Sequence, residues 1–375
     1  MIDPAADLLP EGLEDRLPQS AAAAARIERA MLEVLDAHGY DRVRPPLVEF
    51  EGPMARRMSG GRMNGVSTHH LFRFVDPKSL RLLALRSDMT PQVGRIAATG
   101  LADAPRPLRL CYSGMVARIA GDPLEPRREG LQLGAELIGS DTVAAAAEIV
   151  ELAISALEAA GAPALSIDFT LPDLVDTLAA EEFPLAPEQV DAVRRELDMK
   201  DAGALTAAGG EAYLPLLYAS GPVDEAIGKL AAIDAGGALT SRIEAVRQIA
   251  ARVADRARLT LDPTERHGFE YQSWFGFAIY AAGVRGTLGR GGTYRIGGSE
   301  EVAIGFSLFP EELVEAVKAD EPSRPAVFLP LGHDRAAAAR LRSEGWRTVA
   351  ALAESDEGQA LGCSHRLEGG VAVPL

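Results

Sequence analysis

The segment Leu131-Gln-Leu-Gly-Ala-Glu-Leu-Ile138 alternates with a period of two, the repeat of a β-strand. Leu131, Leu133, Ala135 and Leu137 fall on one face, and Gln132, Gly134 and Glu136 on the other. Gln132 and Glu136 therefore point the same way, with a glycine between them that leaves an open slot. An amide and a carboxylate flanking a cleft suit a ligand carrying an ammonium or an imidazole. A solvated sheet face has the same pattern, and both readings stand at this point. Thr90-Pro91 reads as a helix start, with Thr90 as N-cap and Pro91 at the first helical position. Asp88 beside it either supports that start or faces a ligand. Arg118, Arg127 and Arg128 are either ordinary surface charge or a grip for an anion, such as a phosphate of a partner's substrate.

Other chemistries are poorly supplied. His69-His70 has no third ligand at zinc spacing and no CxxC occurs, so no metal or other cofactor is expected. The glycine cluster from Gly286 to Gly298 matches neither a Walker A loop nor GxGxxG, and reads as hairpin turns rather than a phosphate cradle. Cys111 in a predicted strand reads as a small core residue, and Trp274 and Trp346 as packing residues. Cys111 and Cys363 are too few for a disulfide framework, which points to a reducing cytoplasm. No run of about 18 apolar residues is present, and the acidic start of the chain lacks the basic head of a secretory signal. A net charge of −16 disfavours non-specific binding to a polyanion and lowers the expectation of tRNA binding.

The elements that must position these residues divide the chain into four regions: 1–170, 171–254, 255–320 and 321–375. In the first, a helix from about Ser20 to His38 carries Ile27, Met31, Val34 and Leu35 on one face, and Gly39 is placed to end it. Arg42 to Phe50 reads as a strand interrupted by Pro45-Pro46, hence an edge or an interface. Strands follow at 71–75, 80–85, 108–116 and 131–138, then a helix from about 141 to 160. The second region is helical in pattern, broken at 207–210 and 235–237, and reads as an inserted helical domain. The third returns to strands at 271–280 and 302–309. The last alternates as a small, short α/β unit. Strands in succession with occasional helices predict an α+β fold built on an antiparallel sheet rather than a doubly wound one.

Several blocks together resemble the catalytic core of class II histidyl-tRNA synthetases, in order and at similar spacing. Leu85-Arg-Ser-Asp-Met-Thr90 is similar to the family's LRPEGT segment. Arg109 to Arg118, with Arg128-Glu-Gly-Leu-Gln132 and Gly134-Ala-Glu136, resembles motif 2. Ile304-Gly-Phe-Ser-Leu308 resembles the start of motif 3, and Gly291-Gly-Thr-Tyr294 the GGRYD turn. His267-Gly-Phe-Glu-Tyr-Gln272 resembles the RGLDYY segment, with Tyr271 at its first tyrosine and Gln272 replacing the second. The similarity covers roughly residues 9 to 315. It implies a class II synthetase-like sheet flanked by helices, dimerisation through the opening segment and the Arg42 to Phe50 strand, and a histidine pocket formed by Asp88, Thr90, Arg118, Gln132, Glu136 and Tyr271.

The same resemblance implies that the chemistry of amino-acid activation is lost. That chemistry needs fixed arginines against developing negative charge. Arg118 remains where motif 2 supplies one, but the family's second histidine-specific arginine falls on His267, and the motif 3 arginine on Glu312. Only 63 residues follow Glu312, fewer than a full anticodon-binding domain of about 100 needs. An amino-acid pocket without these parts is similar to the regulatory subunits of ATP phosphoribosyltransferase, as are Leu9-Pro-Glu-Gly12 and the Leu85 to Pro91 segment. That family implies a non-catalytic chain that assembles with a short-form catalytic phosphoribosyltransferase subunit, usually as a hetero-octamer. It activates that subunit and transmits feedback inhibition by L-histidine in the first step of histidine biosynthesis. An active histidyl-tRNA synthetase, or another ligase on the class II core, is the alternative.

Overall fold

The computed structural model describes residues 8–58, 71–119, 126–234, 236–266, 272–297, 299–317 and 325–375. Helix α1 (Pro18–Ala37) starts with proline, whose missing N–H costs nothing in a first turn, and buries Ala23, Ile27, Met31 and Leu35 along one stripe. Gly39 follows at φ +79, a left-handed conformation that suits glycine. The expected single strand from Arg42 to Phe50 is instead two, β1 (Asp41–Arg42) and β2 (Val48–Phe50), in different sheets. Pro45 and Pro46 between them cannot donate to a ladder. Their carbonyls accept instead from Arg86 Nη1 at 3.0 Å and Gln92 Nε2 at 2.8 Å.

After α2 (Glu51–Met58), strands β3 (Arg73–Val75) and β4 (Leu82–Leu85) complete a small antiparallel sheet with β2, in the order β2-β4-β3. Helix α3 (Thr90–Ala98) leads to β5 (Leu108–Ala117) and β6 (Glu129–Ile138), paired antiparallel along their whole length. The N-cap of α3 is Met89, not Thr90 as the sequence suggested. Thr90 is already helical, and its N–H donates to Asp88 Oδ1 at 3.0 Å.

Helix α4 (Val143–Ala159) is capped by the Thr142 hydroxyl, which accepts from Ala145 N–H, and packs against α1. Strand β7 (Leu165–Thr170) precedes a helical stretch: α5 (Leu174–Glu181), α6 (Pro187–Asp198), α7 (Ala202–Ala207), a 3₁₀ turn at Glu211–Tyr218, the short strand β8 (Gly221–Pro222), α8 (Val223–Ile233) and α9 (Thr240–Val253). Its buried side chains, Leu178, Val193, Leu205, Tyr213, Leu230 and Val246 among them, share one apolar cluster with α1, α4 and the sheet. The chain continues through β9 (Arg258–Leu261), β10 (Gln272–Ala281), β11 (Gly289–Arg295), β12 (Val302–Leu308) and α10 (Glu311–Val317).

These strands form a nine-stranded sheet in the order β1-β5-β6-β12-β11-β10-β7-β9-β8. From β5 to β7 every pairing is antiparallel, as expected, but β1–β5 and β7–β9 are parallel. The intervening helices between β7 and β9 provide the long crossover that a parallel pair requires. The glycine cluster read as hairpin turns is largely β11, in the middle of this sheet. A side chain at Gly291 would meet the Phe277 ring at 2.4 Å and the Gly305 carbonyl at 2.6 Å. Glycine is there because neighbours approach too closely for anything larger.

Residues 319–375 make a second compact unit. Strand β13 (Ala326–Leu329), α11 (Arg335–Ser343), β14 (Arg347–Ala350), β15 (His365–Glu368) and β16 (Val371–Pro374) form a four-stranded sheet in the order β14-β13-β15-β16. Val327, Leu329, Ala337, Ala338, Leu341 and Leu367 supply its core. Asp334 caps α11 by accepting the N–H groups of Ala336 and Ala337.

Candidate functional site

Strand pairing on β5 and β6 decides what the Gln132/Glu136 face looks like. Tyr112 lies directly opposite Gly134, Gly114 opposite Gln132, and Leu110 opposite Glu136. The slot over Gly134 is therefore not open, as alternation alone suggested, because a Cβ there would lie 2.4 Å from the Tyr112 hydroxyl. Arg86 occupies the corresponding space over Gly114 and donates to the Met115 carbonyl at 2.7 Å. Gln132 and Glu136 are both 1% exposed, so the solvated-face reading is excluded.

Their polar atoms belong to one network. Gln132 Nε2 donates to Asp88 Oδ1 at 2.7 Å and to Ser307 Oγ at 2.8 Å, while its Oε1 accepts the Met89 N–H at 2.8 Å. The Tyr112 hydroxyl lies 3.0 Å from both Thr90 Oγ1 and Ser307 Oγ, and donates to Glu136 Oε1 at 3.2 Å. Tyr294 donates to Glu136 Oε2 at 2.8 Å. Asp88 thus supports the start of α3, one of the two roles considered for it, and also orients Gln132. Burial pushes the Glu136 carboxyl up to about 8, an effect that the Tyr294, Thr90 and Tyr112 hydroxyls oppose. Burial likewise raises the Tyr112 hydroxyl, helped by the negative charge of Glu136 and Asp88.

Thr90, Glu136, Gln272, Tyr294, Gly305 and Ser307 are among the residues around a small cavity of ≈ 20 Å³. Beside it lies a larger cleft of ≈ 360 Å³, lined by Arg118, Arg127, Arg128, Arg290, Phe309, Glu311 and Glu312 among others. Arg290 borders both. Of the expected site residues, Asp88, Thr90, Gln132 and Glu136 come together. Arg118 does not join them: its guanidinium lies in the larger cleft, 5.2 Å from the centre of the Phe309 ring. Tyr271, with His267, lies outside the described residues.

The larger cleft is populated by carboxylates as well as arginines. Arg127 pairs with Glu312 at 2.6 Å and with Glu14 at 2.7 Å. Glu311 accepts the Leu131 N–H at 2.7 Å and is paired with Arg16. Arg128 stacks its guanidinium 4.7 Å from the Phe72 ring centre and donates to the Glu11 carbonyl. Both Arg127 and Arg128 are thus engaged within the chain.

The family model described as histidyl-tRNA synthetase matches residues 12–313. An ATP phosphoribosyltransferase regulatory subunit of Rhodospirillum centenum is 43% identical, over 98% of this chain and 96% of its own length. One of Paramagnetospirillum magneticum is 40% identical, over 96% of each. The chain belongs to the ATP phosphoribosyltransferase regulatory subunit family. Two solved structures share the fold. One, an ATP phosphoribosyltransferase regulatory subunit/histidyl-tRNA synthetase of Bacillus halodurans C, aligns with a TM-score of 0.79 at 23% identity, covering 96% of this chain and 97% of its own. The other, the histidyl-tRNA synthetase of a Nostoc species, aligns at 0.76 and 16% identity, covering 96% and 90%.

Membership of the regulatory subunit family agrees with the α+β, class II synthetase-like fold expected from the sequence. Tyr112, Tyr294, Ser307 and Arg86 were missed as members of the site. Tyr112 and Ser307 sit in strands whose alternation could have placed them on the face of Gln132 and Glu136, but only the pairing shows that they meet these residues. Arg86 carries no such signal. Among the described residues no helix is long and apolar enough to cross a membrane, and no three His, Cys, Asp or Glu side chains converge as metal ligands. Cys111 and Cys363 are both buried thiols, and burial pushes Cys111 up to about 11, as befits an unreactive core residue.

Proposed function

We propose that this chain is a non-catalytic regulatory subunit of ATP phosphoribosyltransferase that holds L-histidine over β6 and transmits feedback inhibition to a short-form catalytic subunit. Asp88 orients Gln132, Thr90 and Tyr294 line the cavity, and Glu136 faces the imidazole. Self-association as a dimer and assembly with the catalytic chain as a hetero-octamer, in the cytoplasm and without tRNA, complete the reading. Its regulatory effect rests on two arrangements of the assembly with different affinity for histidine.

The observation that carries the non-catalytic reading is Glu312 paired with Arg127 in the cleft beside the pocket. An adenylate-forming enzyme needs arginine there, and a carboxylate changes the interaction with a phosphate by two unit charges. Each unit is worth about 4 kcal/mol at 4 Å and an effective dielectric near 20. Heavy screening still leaves more than the roughly 1.4 kcal/mol of a tenfold effect. Arg127 is at the same time neutralised by Glu14 and Glu312, and so is a weak anchor for a triphosphate.

Affinity purification from the native cell tests the partnership. A short phosphoribosyltransferase chain should co-purify, and its activity should fall on separation and be inhibited by histidine only when the two are joined. Histidine-dependent exchange of pyrophosphate into ATP by the purified chain is the result that would establish the alternative, an active histidyl-tRNA synthetase.

A further inference from the structure

In a chain of net charge −16, residues 52–75 hold four arginines and two histidines and no aspartate or glutamate. Two of those arginines, Arg56 and Arg57, occupy the last turn of α2, where the partial negative charge of a helix end favours cations. That alone would account for Arg57 if it faced solvent. Its side chain is only 16% exposed, and other groups surround it.

Three segments converge there. Arg56 and Arg57 from α2, Arg95 and Ala98 from α3, and Ile296 and Gly297 after β11 are among the residues around a cavity of ≈ 300 Å³. Glycine permits the approach: a Cβ at Gly94 would lie 3.2 Å from Ile296 Cγ2, and one at Gly297 3.0 Å from the Arg57 carbonyl oxygen. Among the described residues no aspartate or glutamate lines this cavity, and it shares no lining residue with the two cavities near β6. Glu49 is the carboxylate that its arginines share. It accepts from Arg57 Nη2, from Arg95 Nη2 at 2.7 Å and Nε at 3.1 Å, and from Gln92 Nε2 at 3.0 Å. Arg57 Nε is buried and finds no acceptor among the described residues. Burial lowers the Arg57 guanidinium from its ordinary value, Glu49 opposes this, and the positive charges of Arg95 and Arg56 add to the lowering.

We infer that this cavity is a second ligand site, separate from the Gln132/Glu136 pocket, and that it takes the phosphate monoester of a small molecule. Arg57 and Arg95 share a single carboxylate, so this pair alone keeps one positive charge in excess, and a buried N–H without an acceptor adds a free-energy cost that folding does not relieve. An anion arriving from outside offsets both. Guanidinium forks match phosphate oxygens two at a time, and a phosphate monoester brings a charge of about −1.5 to −2 and three acceptor oxygens. The volume lies at the lower end of the range of about 300–1,000 Å³ for small-molecule pockets, with room for a few carbons beyond the phosphate. Pro53, Ala98 and Ile296 give those carbons an apolar wall. An extended polyanion would meet the repulsion of the whole acidic chain, whereas a small ester meets only this basic wall.

Equilibrium dialysis of the full chain in low-salt buffer tests this, with inorganic phosphate, glycerol 3-phosphate and ribose 5-phosphate as probes. The variants are Arg56→Glu and Arg57→Lys at the cavity and Arg118→Gln in the larger cleft. Ribose 5-phosphate is expected to bind with a Kd of about 0.1–1 mM, at least about threefold more tightly than inorganic phosphate. Arg56→Glu, at an exposed position, weakens it at least about tenfold, since reversal moves two unit charges. Arg57→Lys keeps the charge beside Glu49 but loses the planar fork, and weakens it about three- to tenfold. Arg118→Gln leaves it within about twofold of wild type. A chain that binds no ribose 5-phosphate at about 10 mM overturns the site. So does an affinity that falls in Arg118→Gln and holds in Arg56→Glu, which puts the anion in the larger cleft. An ester bound no better than inorganic phosphate means an adventitious ion only, and overturns it too. A Glu-rich synthetic peptide that binds where the phosphates do not reassigns the wall to a protein partner and likewise overturns the proposal.

Discussion

Glu136 offers a test that needs neither ligand nor partner. Burial raises its carboxyl from the ordinary 4.5 to about 8 in the folded chain, so the folded protein holds a proton there that the unfolded chain has lost. A raised folded value gives stability that is fully present below about 4.5 and is lost as pH rises through about 8. Inside that window the loss is about 1.4 kcal/mol per pH unit. Flattening near pH 8 leaves about 2 kcal/mol between pH 6 and pH 8. Glu136→Gln keeps the shape, still accepts from Tyr294, and does not titrate. The assay is urea unfolding of both proteins at pH 6 and pH 8, with the wild-type change in stability compared with that of the variant. The many surface carboxylates contribute equally to both and cancel. Wild type is expected to lose about 2 kcal/mol more than Glu136→Gln over this interval. Equal changes for the two proteins would refute the reasoning, since they mean that Glu136 is already ionised, and solvated, at pH 6.

Histidine binding should release about one proton at pH 5.5 and almost none at pH 7.5, read by calorimetry in buffers of different ionisation heat. Below about pH 6.5 both the free imidazole and Glu136 carry a proton, and only one fits between them. Gly305→Ala should abolish histidine binding and destabilise the fold, because its Cβ would stand 1.8 Å from Glu136 Oε2; a variant of wild-type affinity would contradict the packing. Glu312→Arg should raise affinity for ATP at least about tenfold in equilibrium dialysis. Asp334→Ala should cost about 1 kcal/mol of stability in the C-terminal unit by removing the α11 cap, measured by amide exchange within that unit.

Much of the fold was legible because local periodicity is a property of the covalent chain. Ile27, Met31 and Leu35 mark α1 wherever that helix is docked, and the alternation of Leu131 to Ile138 marks β6 and the face carrying Gln132 and Glu136. Glu312 reads, from the flanking residues that resemble motif 3, as standing where that family carries an arginine. The Arg42 to Phe50 strand was misjudged only in its continuity, since two prolines show a break but not which sheet each half joins. Strand β11 was illegible for a different reason: glycine has low strand propensity, and Gly291 and Gly292 are there because Phe277, Gln272 and the neighbouring backbone leave no room.

Residue types and their spacing along the chain determined which groups were available for chemistry: an amide, a carboxylate and an aspartate beside the start of α3, on a class II scaffold. Tertiary structure decided which of them meet. Register brought Tyr112 onto Gly134, aligned Gly276, Gly292 and Gly305 between Glu136 and Thr170, and sent Arg118 to the larger cleft. Pairing register is set by burial and hydrogen bonding summed over strands distant in sequence, and a slip of one residue would turn every one of these side chains to the other face.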